Sequence, residues 1–418
     1  MHREYRGVDF APPWVNARVN KESSTGVQAY RALLGERDMR RLAVAALVAR
    51  LTMSMWSVVL FLLVADRRDE SSAALALAAY TVGQALTAPA RGRWIDRRGV
   101  QPVLLVTTSL YILMVAVLVA VIEGSSMLVI AGVAVLSGAF MPPVAATIRG
   151  LWIALTLPGK GRHTAMALDA VLLEVAFVVG PAAAGLLATW TDPAVAVLPV
   201  IALLVLSAVL VIRSEPAEQV LASRSKGGWG PVASSPFRTT LLLALVPSLV
   251  SAAVEVLLLT ISHSGGYEWA GGLLLAGMAV GSLVGGLVFG AYGSGRTPQS
   301  WLPIMLLLTA GGIVMLLLGQ AAPWSFIVVA PLVGATTAPC LATVFSLSAA
   351  TTPPGQRTEA QSWVNTSLAL GFAMGALVVA PFADQVDVAV VLLVVIAAVG
   401  ALAARLVGPS LARHAGPE

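Results

Sequence analysis

The chain is poor in the residues that soluble chemistry depends on. Of its 418 residues only one is a cysteine, Cys340, so no internal disulfide can form, and an apolar neighbourhood makes that thiol a packing residue. Charged residues make up only 11%, against about 25% in soluble domains, while apolar residues reach 58%. That balance excludes an ordinary soluble protein. Lysine occurs only at Lys21, Lys160 and Lys226, and the preference for arginine, with abundant Ala, Val and Gly, points to a high-GC bacterial chain. The net charge of +5 is scattered over short segments without interleaved aromatics, so nucleic acid is not an expected partner. The four histidines, His2, His163, His263 and His414, fall in the leader, loops or tail. No H-E-x-x-H zinc motif, aspartate-rich pyrophosphate site, G-x-S-x-G turn or P-loop is present, so neither an enzyme nor an ATP-driven pump is expected, and no metal or cofactor is implied.

What the chain has is long apolar runs. A membrane crossing needs roughly 20 mostly apolar residues in a helix. That template matches residues 42–65, 73–90, 102–122, 127–148, 165–188, 194–212, 240–261, 270–292, 301–319, 325–349, 359–382 and 388–406. The expected fold is therefore all-α, with twelve transmembrane helices in two pseudo-symmetric bundles of six. Residues 1–41 form a leader whose first 25 are polar and whose Val27, Tyr30, Leu33 and Leu34 suggest a short surface helix. Residues 42–212 are the first bundle and 240–406 the second, joined by a Gly- and Pro-rich linker at 213–239 and followed by a tail at 407–418. Gly83 and Gly92 have the same spacing as Gly281 and Gly290, at corresponding places in the two sixes.

Basic residues crowd one side of this topology, and only Arg67 and Arg68 fall on the other, beside Asp66, Asp69 and Glu70. The positive-inside rule then places both termini in the cytoplasm and the protein in an inner (cytoplasmic) membrane. No cleavable signal precedes the first apolar run.

Between the second and third runs, Gly92, Asp96, Arg97 and Gly99 stand as G-x-x-x-D-R-x-G. The order resembles the signature of the loop between the second and third helices of major facilitator superfamily transporters. The resemblance implies a cytoplasmic loop in which Asp96 joins a charge cluster that latches the two halves shut. Val100, Gln101 and Pro102 stand where that family usually adds basic residues, and Arg91, Arg93 and Arg98 are the neighbours able to supply the charge. Gly180, Pro181 and Gly185 in VVGPAAAG resemble the fifth-helix motif, G-P-x-x-G-G, of drug/proton antiporters in the superfamily, with Ala184 in place of the first closing glycine. The stretch PPGQRTEAQSW is similar to a turn in actinobacterial-type permeases, with Glu359 opening a helix. The fourth run lacks the arginine of the R-x-x-Q-G antiporter motif, and Arg50 is assigned its electrostatic role.

Four ionisable residues lie inside apolar runs: Arg50, Asp169, Glu174 and Glu255. Each costs roughly 2.5–3.5 kcal/mol or more in hydrocarbon, so each should face a partner or a pathway. Arg50 and Glu174 reach similar depth, roughly 12–14 Å at about 1.5 Å per residue, and are expected to pair. Glu174 would couple proton uptake to conformation, although a static ion pair would satisfy the same residues. Glu255, in the opposite half of the membrane, can carry a proton or attract a cation, and Asp169 is the shallower, weaker candidate. By resemblance to the fold, Met53, Trp56, Phe140, Met141 and Phe345 line a soft central cavity, with Trp363 and Asn365 as further wall residues.

These features predict a secondary active transporter that works by alternating access as a monomer, with protons and a small-molecule substrate as partners and the lipid bilayer as its surroundings. Proton-coupled efflux of small apolar or amphipathic compounds is the primary expectation, with the proton gradient as energy source. Import or facilitated passage of a polar metabolite such as a sugar, and a non-transporting sensor or scaffold of the same fold, stand as alternatives.

Overall fold

The computed structural model describes residues 26–156, 159–214, 230–264, 268–321, 325–353, 355–382 and 385–414. The polar leader 1–25, most of the linker and the end of the tail lie outside the described residues. Twelve helices are long and apolar enough to cross a membrane. In chain order, spans 1–6 are Arg37–Arg67, Glu70–Arg98, Val100–Val121, Met127–Leu155, Lys160–Ala188 and Pro193–Ile212. Spans 7–12 are Ser235–Ser262, Gly271–Gly295, Pro298–Leu317, Phe326–Thr351, Arg357–Val379 and Val386–Leu411. A separate short helix, Val27–Gly35, precedes span 1.

Two boundaries differ from the sequence reading in ways that matter. Span 2 stays helical through Arg98, so Gly92, Asp96 and Arg97 sit in its last two turns, and only Gly99, at φ +90°, makes the turn into span 3. Polar residues there do not end the helix, because outside the hydrocarbon their charges have water or a neighbouring span to meet. Span 4 runs to Leu155 and not to residue 148, interrupted between Phe140 and Val144 by Pro142 and Pro143. Proline removes an amide and clashes with the preceding turn, so the helix breaks and restarts. The buried Arg91 guanidinium donates to the Met141 carbonyl at this break and to the Gln84 carbonyl of its own helix. Span 10 is interrupted as well, between Gly334 and Thr337.

The pseudo-symmetry is written in backbone contacts. A Cβ added at Gly83 would lie 2.0 Å from the Val135 carbonyl oxygen, and one at Gly138 would lie 2.0 Å from that of Tyr80. In the second half, a Cβ added at Gly281 would lie 1.9 Å from the Pro331 oxygen and one at Gly334 1.9 Å from that of Met278. Both pairs have the same three-residue spacing on both helices, so span 2 rides on span 4 as span 8 rides on span 10. Without side chains between them, the backbones approach closely enough for dispersion to hold them in lipid, where no hydrophobic force drives association. Each half also has its own apolar core, one around Trp56, Tyr80 and Tyr111 and one around Leu257, Leu258 and Ile313. A third cluster joins them near the end where span 2 gives way to span 3, hereafter the latch end.

At the opposite end Asp69 caps span 2. It accepts hydrogen bonds from the Ser71 hydroxyl and from the backbone and hydroxyl of Ser72, and these hold its carboxyl down at about 2.

The matched glycines give a direct test. Gly83→Leu and Gly281→Leu should each destabilise the folded protein by roughly 1–3 kcal/mol through overpacking. Gly132→Leu, where nothing lies within 4 Å, should leave the thermal transition in detergent unchanged.

Candidate functional site

Hydrogen bonds between the halves concentrate toward the latch end, and the first group joins span 2 to span 11. Asp96, 2% exposed, accepts from the backbone amides of Thr358 at 3.1 Å and Glu359 at 2.8 Å. It thus caps the first turn of span 11, where exposed amides and the helix dipole both favour an anion. Arg93 donates to both oxygens of Glu359, from Nε at 3.0 Å and Nη2 at 2.6 Å. Gly92 makes the approach feasible: a Cβ there would lie 2.6 Å from the Ser362 hydroxyl and 2.8 Å from the Glu359 Cα. Arg97, which the loop motif singles out, is exposed, and the guanidinium in the cluster belongs to Arg93.

Farther in lies a buried ionic cluster. Arg50 meets Asp169 at 2.5 Å and also donates to the Ala46 carbonyl at 3.1 Å. Arg149 approaches the other Asp169 oxygen at 3.6 Å. Its remaining contacts cross to the second half, with Nη2 donating to Asn365 Oδ1 at 2.8 Å and the guanidinium lying 4.2 Å from the Phe345 ring centroid. Arg50, Arg149 and Asp169 are 3%, 3% and 0% exposed, so none depends on water for its charge.

The expected Arg50–Glu174 pair is not formed. Asp169 and Glu174 are five residues apart, about 140° around a helix of about 3.6 residues per turn, so one arginine cannot face both. Helical side chains also lean toward the N-terminus, which carries the Arg50 head back toward Ala46 and Asp169. The weaker candidate, Asp169, is the true partner. Arg149 is the functional residue that sequence reasoning missed, because a span ending at 148 places it in a loop. The signal was there: Pro142 and Pro143 leave a restarted helix, Val144–Leu155, on which Arg149 lies at mid-length.

Glu174 takes a different position. Its carboxyl faces the Ser282 hydroxyl of span 8, and Ser282 Oγ accepts the Ala338 amide at 3.0 Å, just after the break in span 10. Glu255 of span 7 lies close enough for the two carboxylates to repel. Neither has an ion-pair partner among the described residues.

The expected cavity residues divide. Trp56 is fully buried, edge-on to Tyr80 and Tyr111 at centroid distances of 6.2 and 6.0 Å, and Met141 is 4% exposed in the same core. Both pack in the first half's interior, where the Trp56 ring of span 1 faces Tyr80 of span 2 and Tyr111 of span 3. Phe345 is 1% exposed beneath Arg149. Met53, Phe140, Trp363 and Asn365 retain exposure. In the fifth-helix motif, Gly180 admits span 1, since a Cβ would lie 1.9 Å from the Ser54 hydroxyl, which donates to the Ala176 carbonyl at 2.8 Å. Pro181 lies within the continuous helix, and Gly185 has nothing within 4 Å, so close crossing is confined to Gly180.

Two outcomes follow. Asp169→Asn strands two buried guanidinium groups and should cost about 3–5 kcal/mol, read as a loss of folded protein in detergent, whereas Glu174→Gln should leave stability near wild type. At the latch, Arg93→Glu should raise the thiol-labelling rate of a cysteine at Thr358 several-fold, and adding Glu359→Arg should bring it back toward the unreversed level.

The sequence matches the family model described as Major Facilitator Superfamily over residues 42–376. No curated protein matches it. Among solved structures, a bacterial homologue of the iron transporter ferroportin, crystallised outward-facing with soaked iron, is 20% identical, with a TM-score of 0.71 over 90% of this chain and 99% of that one. The human organic anion transporter MFSD10 (TETRAN) is 16% identical, with a TM-score of 0.68 over 88% and 100% of the two chains. The E. coli fucose:proton symporter FucP is 13% identical, with a TM-score of 0.69 over 88% and 97%. At these identities the likeness is one of fold, while the family model spans most of the sequence. With twelve spans in two matched sixes and charged contacts across the seam between them, the chain belongs to the major facilitator superfamily, a secondary transporter of the membrane and not an enzyme.

Proposed function

We propose that the protein exports small apolar or amphipathic compounds in exchange for protons, in a bacterial cytoplasmic membrane with both termini and the latch end inside. The observation that carries this reading is Glu174. Its carboxylate lies in the first half, has no ion-pair partner among the described residues, and faces a hydroxyl of the second half. An ionised acid in the membrane costs roughly 2.5–3.5 kcal/mol, and taking up a proton removes that cost. Protonation also changes what Glu174 offers Ser282, from an acceptor only to a group that can donate. Ser282 supports the restart of span 10, so the proton has a mechanical consequence at the helix break.

The Arg50–Asp169–Arg149 cluster is the fixed counterpart in this cycle. Opening the latch end separates Arg149 from Asn365 and Phe345, while Asp169 retains Arg50 and Arg149 within the first half. The Asp169 carboxylate thus stays paired as the seam opens, and the surplus charge of Arg149 passes to water or substrate. Substrate character follows from the expected cavity residues that keep exposure, Met53, Phe140 and Trp363, which present adaptable apolar surface. Glu174 and Glu255 add negative charge, favouring lipophilic cations, and sugars are disfavoured because their hydroxyls need more amide partners than Gln84 and Asn365 provide, the latter already held by Arg149.

The test uses proteoliposomes with a panel of lipophilic cations, neutral antibiotics and sugars. Wild type should move protons when an apolar compound is added, and Glu174→Gln should exchange that compound without proton flux. Transport that proceeds with no proton movement and is indifferent to Glu174→Gln would replace this reading with facilitated passage.

A further inference from the structure

The two seams at the latch end are related by the internal repeat, but their chemistry differs. Span 2 meets span 11 through Gly92, Arg93 and Asp96. Carried at equal spacing from Gly92 to Gly290, Arg93 and Asp96 correspond to Ala291 and Ser294 of span 8. No ion pair joins span 8 to span 5 among the described residues. The direct contacts are neutral: His163 Nε2 lies 2.8 Å from the Phe289 carbonyl oxygen, and Thr164 donates to that of Gly290 at 3.0 Å.

A third element sits on this seam. The helix Val27–Gly35 is tied to span 1 by one residue of chain and buries Leu33, 2% exposed, in the shared core. Its Tyr30 hydroxyl reaches the second half, donating to the Leu287 carbonyl at 3.1 Å, with that of Gly286 at 3.5 Å. Just before it, the Gly26 amide donates to the Ala291 carbonyl at 2.9 Å, from a backbone at φ +68°. Span 8 has no side chain at the contact point: a Cβ at Gly290 would lie 2.0 Å from the Tyr30 oxygen and 2.6 Å from the Ala167 Cβ of span 5. The carbonyls at this end of span 8 thus receive donors from both the short helix and span 5. Burial pushes the Tyr30 phenol above its ordinary range, so it stays protonated and able to donate.

We propose that the helix Val27–Gly35 is a strap that holds the span 5–span 8 seam closed at the latch end, the uncharged counterpart of the Asp96 and Arg93 contacts on the other seam. It is anchored in the first half and hydrogen-bonded to the second, so its contacts with span 8 must release whenever that end opens. The strap therefore sets the balance between states in which the latch end is closed and open.

The test is an accessibility measurement in native membranes that requires no substrate. Thr164→Cys, in a Cys340→Ala background, places a thiol in the seam, and its reaction rate with membrane-permeant N-ethylmaleimide reports opening. Tyr30→Phe keeps the ring and removes the donor, and should raise that rate roughly fivefold, the factor expected for loss of one hydrogen bond. Tyr30→Ala, which also removes the packing, should raise it further, with the thermal transition recorded for each variant to show that the protein remains folded. Unchanged labelling in both folded variants would overturn the strap. Because no proton or substrate enters the readout, that failure would stand apart from failure of the proton-coupled reading.

Discussion

The structure depends on a requirement of the bilayer interior: three ionised side chains must be satisfied without water. Asp169 meets it by sitting between two arginines, Arg50 from span 1 and Arg149 from span 4. Two cations on one carboxylate leave positive charge to spare. Arg149 disposes of it across the seam, on the Asn365 oxygen and the face of the Phe345 ring, both in the second half. A contact that compensates charge within one half thereby also joins it to the other. Moving the halves apart at this point exchanges those neutral partners for water or substrate, while the ionic core of the first half stays intact.

Around that core, the repeat supplies rigidity and its departures supply control. Backbone contacts through Gly83 and Gly138 in the first half, and through Gly281 and Gly334 in the second, pack paired spans of each half closely together. The seams between the bodies are not copies of each other. One is a charge-assisted clasp in which Asp96 caps a helix and Arg93 holds Glu359. The other is closed by neutral hydrogen bonds to backbone carbonyls. The broken span 10 connects this frame to Glu174, because one hydroxyl, that of Ser282, faces both that carboxyl and the amide that restarts the helix.

Much of this architecture is legible in the amino-acid sequence, and the reasons are local. Twelve apolar runs, the glycines of spans 2 and 8, and acids and arginines set in apolar surroundings follow from the solvation rules of the bilayer. What is not legible needs rotation or reach. Depth along a helix suggests Glu174 for Arg50, but azimuth and the lean of the side chain select Asp169. Arg149 is hidden because the apolar run is read as ending at residue 148, although the helix that restarts after the two prolines carries the arginine inward. Trp56 is an aromatic on a span expected to line the cavity, yet only its packing on Tyr80 and Tyr111 tells which face it takes.

The measurement that tests the central claim most directly is the distance between the halves at the latch end as a function of pH, with Glu174 intact and replaced. Spin labels at Arg97→Cys and Arg296→Cys, both exposed positions, report it in liposomes when Cys340 is changed to Ala. If a proton on Glu174 sets the conformational balance, wild type shifts its distance distribution with pH, while Glu174→Gln, a fixed neutral mimic, holds the low-pH distribution throughout. A Glu174→Gln protein that still responds to pH as wild type does would contradict the account and move the coupling to another acid.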